Sequence, residues 1–146
     1  MICITGIPAT GKTTICGMLN EHGIKCVSLN DVARDLNIIE NESIDIDELK
    51  KHKIDADVIE SHYSHLLNCD LVIILYNDID EIKKRMKLRN YSESKINENI
   101  DAMLADVIYY EALDRMPAGR IVRVNAHGMS RNDLFNKIIE IINSFK

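Results

Sequence analysis

The chain has 146 residues, 46% of them apolar and 28% charged, with a formal net charge of −5. That length suits one domain with a sizeable core and leaves little room for a second, and the acidic balance excludes a general nucleic-acid coat while allowing a local basic patch. No apolar run reaches the roughly 18 residues that a membrane span needs, and the first residues read as a strand and not as a secretory signal, so the expectation is a cytoplasmic protein with no membrane partner.

In chain order, Ile2 to Ile4 form a first strand, and Gly6-Ile7-Pro8-Ala9-Thr10-Gly11-Lys12-Thr13-Thr14 matches GxxxxGK[ST]. Ile15, Met18 and Leu19 follow at helical spacing, so the motif joins a strand to a helix, the context that a phosphate-binding loop requires. Consecutive backbone N–H groups in such a loop converge on one point, and the helix N-terminus adds its positive end. Lys12 would reach the β and γ phosphates of a nucleotide, and the Thr13 hydroxyl would ligate Mg²⁺. The bland alternative is a glycine-rich turn that binds nothing.

The helix stops near Gly23, a good residue for the left-handed position after a helix, and Ile24 to Leu29 reads as a second strand. A short helical piece, Val32 to Leu36, precedes an acidic stretch, Asn37 to Asp47, with no clean period, and then Glu48 to His52. A polar insert of this kind suits a mobile substrate-covering element or a plain surface excursion. Ala56 to Glu60 reads as a third strand and Ser61 to Leu67 as a short helix. Leu71 to Leu75 is uninterrupted Leu-Val-Ile-Ile-Leu, the mark of a strand covered on both faces.

Asp78 with Glu81 resembles a capping box opening a helix that buries Ile79, Ile82 and Met86 and ends near Arg89. After a break at Asn90 to Glu93, the positions Ile96, Ile100, Met103, Val107 and Tyr110 predict one long amphipathic helix that stops near Pro117. Ile121 to Val124 is the last strand. Ser130 with Asp133 resembles a second capping pair, and Leu134, Ile138, Ile141 and Phe145 mark the inward stripe of a final helix. Strand-helix alternation of this kind implies an α/β sandwich around a mostly parallel, five-stranded sheet. The four cysteines, Cys3, Cys16, Cys26 and Cys69, show no CxxC or zinc-ligand spacing and read as reduced, mostly buried thiols.

Ligands of open parallel sheets gather at the C-terminal ends of the strands, so two further places stand out. Glu60 could hold a metal-bound water and His62 could orient a nucleophile, with a capping or core histidine as the alternative. Asp57 is a rival carboxylate at the wrong end of the strand, and His65 reads as a helix-surface residue. Arg85 and Arg89, one turn apart on one face, could close over a triphosphate or simply form a solvated face. Arg34 could clamp a second phosphate or pair with Asp31 or Asp35.

Taken together, the loop Gly6 to Thr14, Leu29-Asn30 with Ala33-Arg34, Glu60-Ser61-His62, and Lys84-Arg85 with Arg89-Asn90-Tyr91-Ser92 through Lys95, Glu98 and Asn99 resemble the adenylate kinase isoenzyme 6 family along essentially the whole chain. These are small atypical adenylate kinases of archaea and eukaryotes that also act in small-ribosomal-subunit maturation. The resemblance implies a P-loop NTPase fold with a nucleoside-monophosphate-binding insert at about 29–50 and a lid at about 88–98. It implies transfer of the γ-phosphoryl group of MgATP to AMP or a related monophosphate, with ATPase activity and a small-subunit ribosomal protein and pre-rRNA as further partners. Ala9, Gly11, Lys12, Thr13, Thr14 and Arg89 would bind ATP, Thr13 and Glu60 the Mg²⁺, and Asn30 and Arg34 the acceptor; Lys12, His62, Arg85 and Arg89 would serve catalysis.

Four positions depart from the family pattern: Ala9 and Asn90 where Gly is usual, Glu60 where Asp is common, and Tyr76 where an Arg often ends the strand. Ala9 supplies its amide if its φ is negative, and Asn90 tolerates the left-handed turn. Tyr76 has no rationale in the sequence. A GTPase is excluded by the want of an NKxD guanine reader, and AAA-type ATPases by length and the want of a second helical domain. Shikimate and dephospho-coenzyme A kinases remain the nearest enzymatic rivals.

Overall fold

The computed structural model describes residues 1–40 and 43–146. Five strands, β1 (Ile2–Thr5), β2 (Cys26–Ser28), β5 (Val58–Glu60), β6 (Leu71–Tyr76) and β7 (Ile121–Asn125), form one sheet in the order β2-β5-β1-β6-β7. Every pairing in it is parallel. From the central β1 the chain first goes to one side of the sheet, through β2 and β5, and then crosses to β6 and β7 on the other. The end of β1 therefore opens into the crevice where the strand order reverses, which is where parallel sheets bind ligands.

Alternation along the strands sends successive side chains into two separate cores. Ile2, Ile4, Leu71, Ile73 and Leu75 pack with Ile15, Leu19, Phe135 and Ile138 from α1 (Lys12–Glu21) and α7 (Arg131–Phe145). Cys3, Ile59, Val72 and Ile74 pack on the other face with residues of α2 (Leu29–Asp35), α3 (Ile46–Lys50) and α6 (Val107–Leu113). The unbroken apolar run in β6 is thus explained by a sheet covered on both sides. A third cluster joins Ile7 and Ala9 of the loop after β1 to Ile82 and Met86 of α4 (Ile79–Leu88) and to Ile96 and Ile100 of α5 (Glu93–Leu104).

Several predicted boundaries hold. Helix α1 ends at Glu21, with Gly23 in the left-handed region at φ 81°, and Ser130 and Asp133 form a complete capping box on α7. The inward stripe of α7 ends on Ile142, leaving Phe145 exposed. The aperiodic stretch 37–47 contains a small hairpin, β3 (Ile39–Glu40) with β4 (Ser43–Ile44), followed by α3; positions 41 and 42 of that stretch, and of the predicted insert, lie outside the described residues. No helix among the described residues is long and apolar enough to cross a membrane.

Other expectations are corrected. The Asp78–Glu81 capping box does not form: Asp78 makes no side-chain cap bond, and Glu81 instead accepts from Arg85 Nε at 2.9 Å. The predicted long helix is two, α5 and α6, broken at Asp106, which stands at φ 55°. Beyond the break Val107 and Tyr110 face outward, while Ile108 and Ala112 take the inward positions. The cause is tertiary: the Asp106 carboxylate accepts from Tyr76 Oη on β6 and, at 2.7 Å, from Arg123 Nη1 on β7. That contact also accounts for Tyr76, whose phenol ties the end of β6 to the α5–α6 joint. The cysteines are not free thiols. Topology pairs Cys3 with Cys69 and Cys16 with Cys26 as disulfides, with Cα atoms 5.9 and 5.3 Å apart, and no local spacing announces either pair.

Candidate active site

Gly6 fixes where the loop leaves the sheet. Its φ is 145°, and a Cβ placed there would lie 2.6 Å from the Leu75 carbonyl oxygen, so only glycine lets the backbone pass this close to β6. The loop then turns into α1, and Ile15 N–H bonds the Gly11 carbonyl at 3.1 Å. Amides earlier in that first turn have no acceptor within the helix, the donor set that an anion at a helix N-terminus meets.

Lys12 is buried at 8% exposure and folded back on its own loop, donating to the Gly6 and Ile7 carbonyls at 2.8 and 2.7 Å. Burial pulls its pKa down to about 8; Glu60 opposes that shift and Arg89 adds to it. The side chain is held, charged, by acceptors that a phosphate would replace.

Glu60 ends β5 almost fully buried and bridges two elements. Its Oε2 accepts from Thr13 Oγ1 at 3.1 Å and its Oε1 from Ser28 Oγ at 3.4 Å, at the start of α2. Burial raises its pKa against the opposing pull of Lys12 and these two hydroxyls. Asp57, at the other end of β5, accepts instead from the Lys25 N–H. His62 stands exposed at the cleft wall, edge-on to Tyr63 at 4.9 Å. Partial desolvation of the ring and then the Lys12 charge hold its imidazole below the ordinary range, which keeps it neutral near pH 7.

Lys12, Thr13, Glu60 and His62 line a cavity of about 190 Å³ with Thr14, Asn30 and Arg89. A second cavity, about 420 Å³, lies on the other side of Arg89 and is lined by Thr14, Arg85, Ala126, Met129 and Ser130 among others. Arg89, at the end of α4, borders both. Arg85 borders only the second and is engaged, donating to the Ala9 carbonyl at 3.1 Å and to Glu81. Asn30 accepts from Tyr63 Oη at 2.8 Å at the edge of the first cavity. Arg34 lies outside both linings and pairs with Asp31 at 3.2 Å, its side chain largely exposed.

Comparison with known proteins agrees with this arrangement. The AAA domain family matches residues 2–106. A protein of Thermoplasma acidophilum described as "Putative adenylate kinase" is 44% identical over 127 residues, covering 85% of this chain and 86% of its own length. Proteins of the same description from Thermoplasma volcanium and Pyrococcus furiosus are each 39% identical, over 96% and 99% of the chain and 92% and 84% of their own lengths. The chain belongs to this archaeal adenylate kinase family. Among solved structures, shikimate kinase from Acinetobacter baumannii superposes with a TM-score of 0.68 at 19% identity, covering 99% of this chain and 93% of that one. Thymidylate kinase from Candida albicans gives 0.61 at 14% identity, covering 98% and 90%. The fold is therefore that of the P-loop kinases. The AAA domain match over the core corrects the exclusion of that family on length.

Two departures from the family pattern are now physical facts. Asn90 adopts φ 61°, the left-handed turn foreseen for it. Ala9 does not meet the condition set for it, since its φ is 69°. A left-handed alanine costs about 1–2 kcal/mol, but its methyl is buried in the cluster that also holds Ile7, Ile82 and Met86, which returns up to about 0.8 kcal/mol. The lower entropy of an unfolded alanine relative to glycine returns about 0.4–1 kcal/mol more. Ala9→Gly is therefore expected to leave the unfolding free energy, measured by urea denaturation, within about 1 kcal/mol of the parent.

Sequence reasoning missed the second cavity, because Ala126 and Met129 belong to a turn after β7 with no motif of its own and Ser130 declares itself only as a helix cap. It also misplaced His65, which lies on the short helical turn Ser64–Leu66 but is only 1% exposed, its ring bonded to Thr5 at the end of β1.

Proposed function

We propose that this protein is a nucleoside monophosphate kinase of adenylate kinase type, transferring the γ-phosphoryl group of MgATP to AMP or a related acceptor. The observation that carries the reading is the position of Arg89 between two cavities, one floored by Lys12, Thr13 and Glu60 and the other large enough for a nucleobase. Thr13 and Glu60 offer two hard oxygen donors side by side, a set that suits Mg²⁺ with its remaining places filled by phosphate oxygens and water. Such an ion would neutralise charge on the β and γ phosphates.

The residues of the chain do the rest. Lys12 would leave the Gly6 and Ile7 carbonyls for the phosphates, and the loop amides of Ala9, Gly11 and Thr14 would hold the chain of phosphates in line. Arg89 would contact the transferring group from the lid, 88–98, and exclude water with it. Arg85 would set the loop through the Ala9 carbonyl. Asn30, with Arg34 from the exposed face of α2, would take the acceptor from the insert at 29–50. An acceptor phosphate oxygen attacks the γ phosphorus as its bond to the β–γ bridging oxygen breaks, leaving two diphosphates.

A second reading, ATP hydrolysis, is favoured by His62, a neutral imidazole exposed in the same cavity, where it would orient a water. The family resemblance attaches to it a small-subunit ribosomal protein and pre-rRNA as partners; capture of such a protein that is released by ATP supports that role, and none under any nucleotide state opposes it. Incubation of ATP with AMP, dAMP, CMP, UMP, GMP or shikimate, scored separately for diphosphate and free phosphate, tests the main reading. Nucleoside diphosphate without phosphate is expected; phosphate alone, or turnover only with shikimate, contradicts it.

Protonation gives a further check. With Lys12 near pKa 8 in the free protein, the ammonium predominates at pH 7 and the neutral amine at pH 9. A bound triphosphate favours the ammonium, so binding takes up nearly one proton at pH 9 and little at pH 7. Calorimetry in buffers of differing ionisation enthalpy measures this; equal uptake at both pH values contradicts it.

A further inference from the structure

His65 is an almost fully buried titratable group to which neither reading gives a role. It lies on the short turn Ser64–Leu66 after β5 and reaches two distant elements. Its Nδ1 is 3.0 Å from Thr5 Oγ1, on the residue immediately before Gly6, and its Nε2 is 3.1 Å from Glu111 Oε1 on α6. A carboxylate can only accept, so Nε2 carries the hydrogen. Burial, outweighing the opposing pull of Glu111, lowers the pKa and keeps the ring neutral, which leaves the Nδ1 lone pair to accept from the Thr5 hydroxyl. The same turn grips the preceding residue: Ser64 Oγ donates to the Ile4 carbonyl at 2.7 Å, and Ser61 N–H does so at 3.2 Å.

We propose that His65 is a positioning residue that ties the root of the phosphate loop to α6, so that the set of the loop depends on the α5–α6 arm. That arm begins just beyond Arg89 and Asn90, and its joint is anchored separately by Tyr76 and Arg123 at Asp106. Thr5, His65 and Glu111 form one relay, with each end useful only while the other is made. The consequence for nucleotide affinity rests on the proposed function; the mechanical coupling does not.

Amide hydrogen exchange of residues 5–12 in the free protein tests the coupling directly. Glu111→Ala changes a half-exposed side chain on α6, yet the proposal expects it to speed exchange in the loop about threefold to tenfold, the range of one neutral hydrogen bond. Thr5→Val should do the same, and the double variant should do no more than either single. Thr5→Ser, which keeps the hydroxyl, should restore slow exchange relative to Thr5→Val at a similar melting temperature. His65→Gln can still donate to Glu111 but cannot reach Thr5, and should match Thr5→Val. Loop exchange unchanged by Glu111→Ala, or strictly multiplicative effects in the double variant, would overturn the proposal whatever ATP does. ATP titration of the same variants gives the second arm: a matching loss of affinity supports the functional consequence. An absence of ATP binding by the parent chain would instead count against the kinase reading and leave the exchange result to decide the role of His65.

Discussion

Lys12→Ala is expected to lower the rate of diphosphate formation by about 10³-fold or more, equivalent to about 4 kcal/mol of transition-state stabilisation. In the proposed reaction this side chain would leave the Gly6 and Ile7 carbonyls to bring the loop's ammonium to the phosphates, where the transition state spreads charge over the transferring oxygens. The loss should therefore appear in kcat as well as in kcat/KM. Folding should survive, because the variant removes a charge whose burial is itself unfavourable: the same desolvation that pulls the pKa down to about 8. A steady-state assay with a thermal melt as control is the measurement. Near-parental turnover in a well-folded variant contradicts the assignment of this lysine.

Gly6→Ala is the largest expected effect on stability. A Cβ there meets the Leu75 carbonyl oxygen at 2.6 Å and Thr10 Oγ1 at 3.1 Å, on a backbone at φ 145°. Leu75 is almost fully buried and pairs with Val124 of β7, so it cannot withdraw without moving β6. Strain and overpacking each contribute about 1–3 kcal/mol, so a total of about 3 kcal/mol or more is expected. For a chain of this size each kcal/mol corresponds to about 2–4 °C, giving a melting temperature lower by roughly 10 °C. Nucleotide affinity should fall with it, since any accommodation shifts the loop. A parental melting temperature would show that the loop is not pinned against β6.

What was legible in the sequence was local. The loop motif, the capping box at Ser130 and Asp133, Gly23 and the apolar run of β6 each declare themselves within a few residues, and the alternation of strand and helix then leaves few topologies. Glu60 was preferred to Asp57 from strand polarity alone, and the structure puts Glu60 against Thr13. The misses share a different cause. The break at Asp106 is imposed by Tyr76 and Arg123 from two other strands, while the local period continues unbroken through it. His65 reads as superficial from its place on a short helix; that helical turn, Ser64–Leu66, does form, but it aims the ring at β1 and α6. One disulfide joins β1 to the loop before β6, neighbours through the sheet order, and the other joins α1 to β2, neighbours through the packing of that helix on the sheet. Residue type alone says nothing of the φ at Ala9, and its left-handed φ is tolerated because the methyl has a buried place in the cluster around Ile7, Ile82 and Met86.

The central claim is that the loop from Gly6 to Thr14 is the seat of a nucleotide triphosphate. Calorimetric titration of MgATP into the folded protein tests it most directly. The account predicts saturable one-to-one binding that is lost or severely weakened in Lys12→Ala; an absence of binding by parental protein that melts cooperatively, or undiminished binding by the variant, would contradict it.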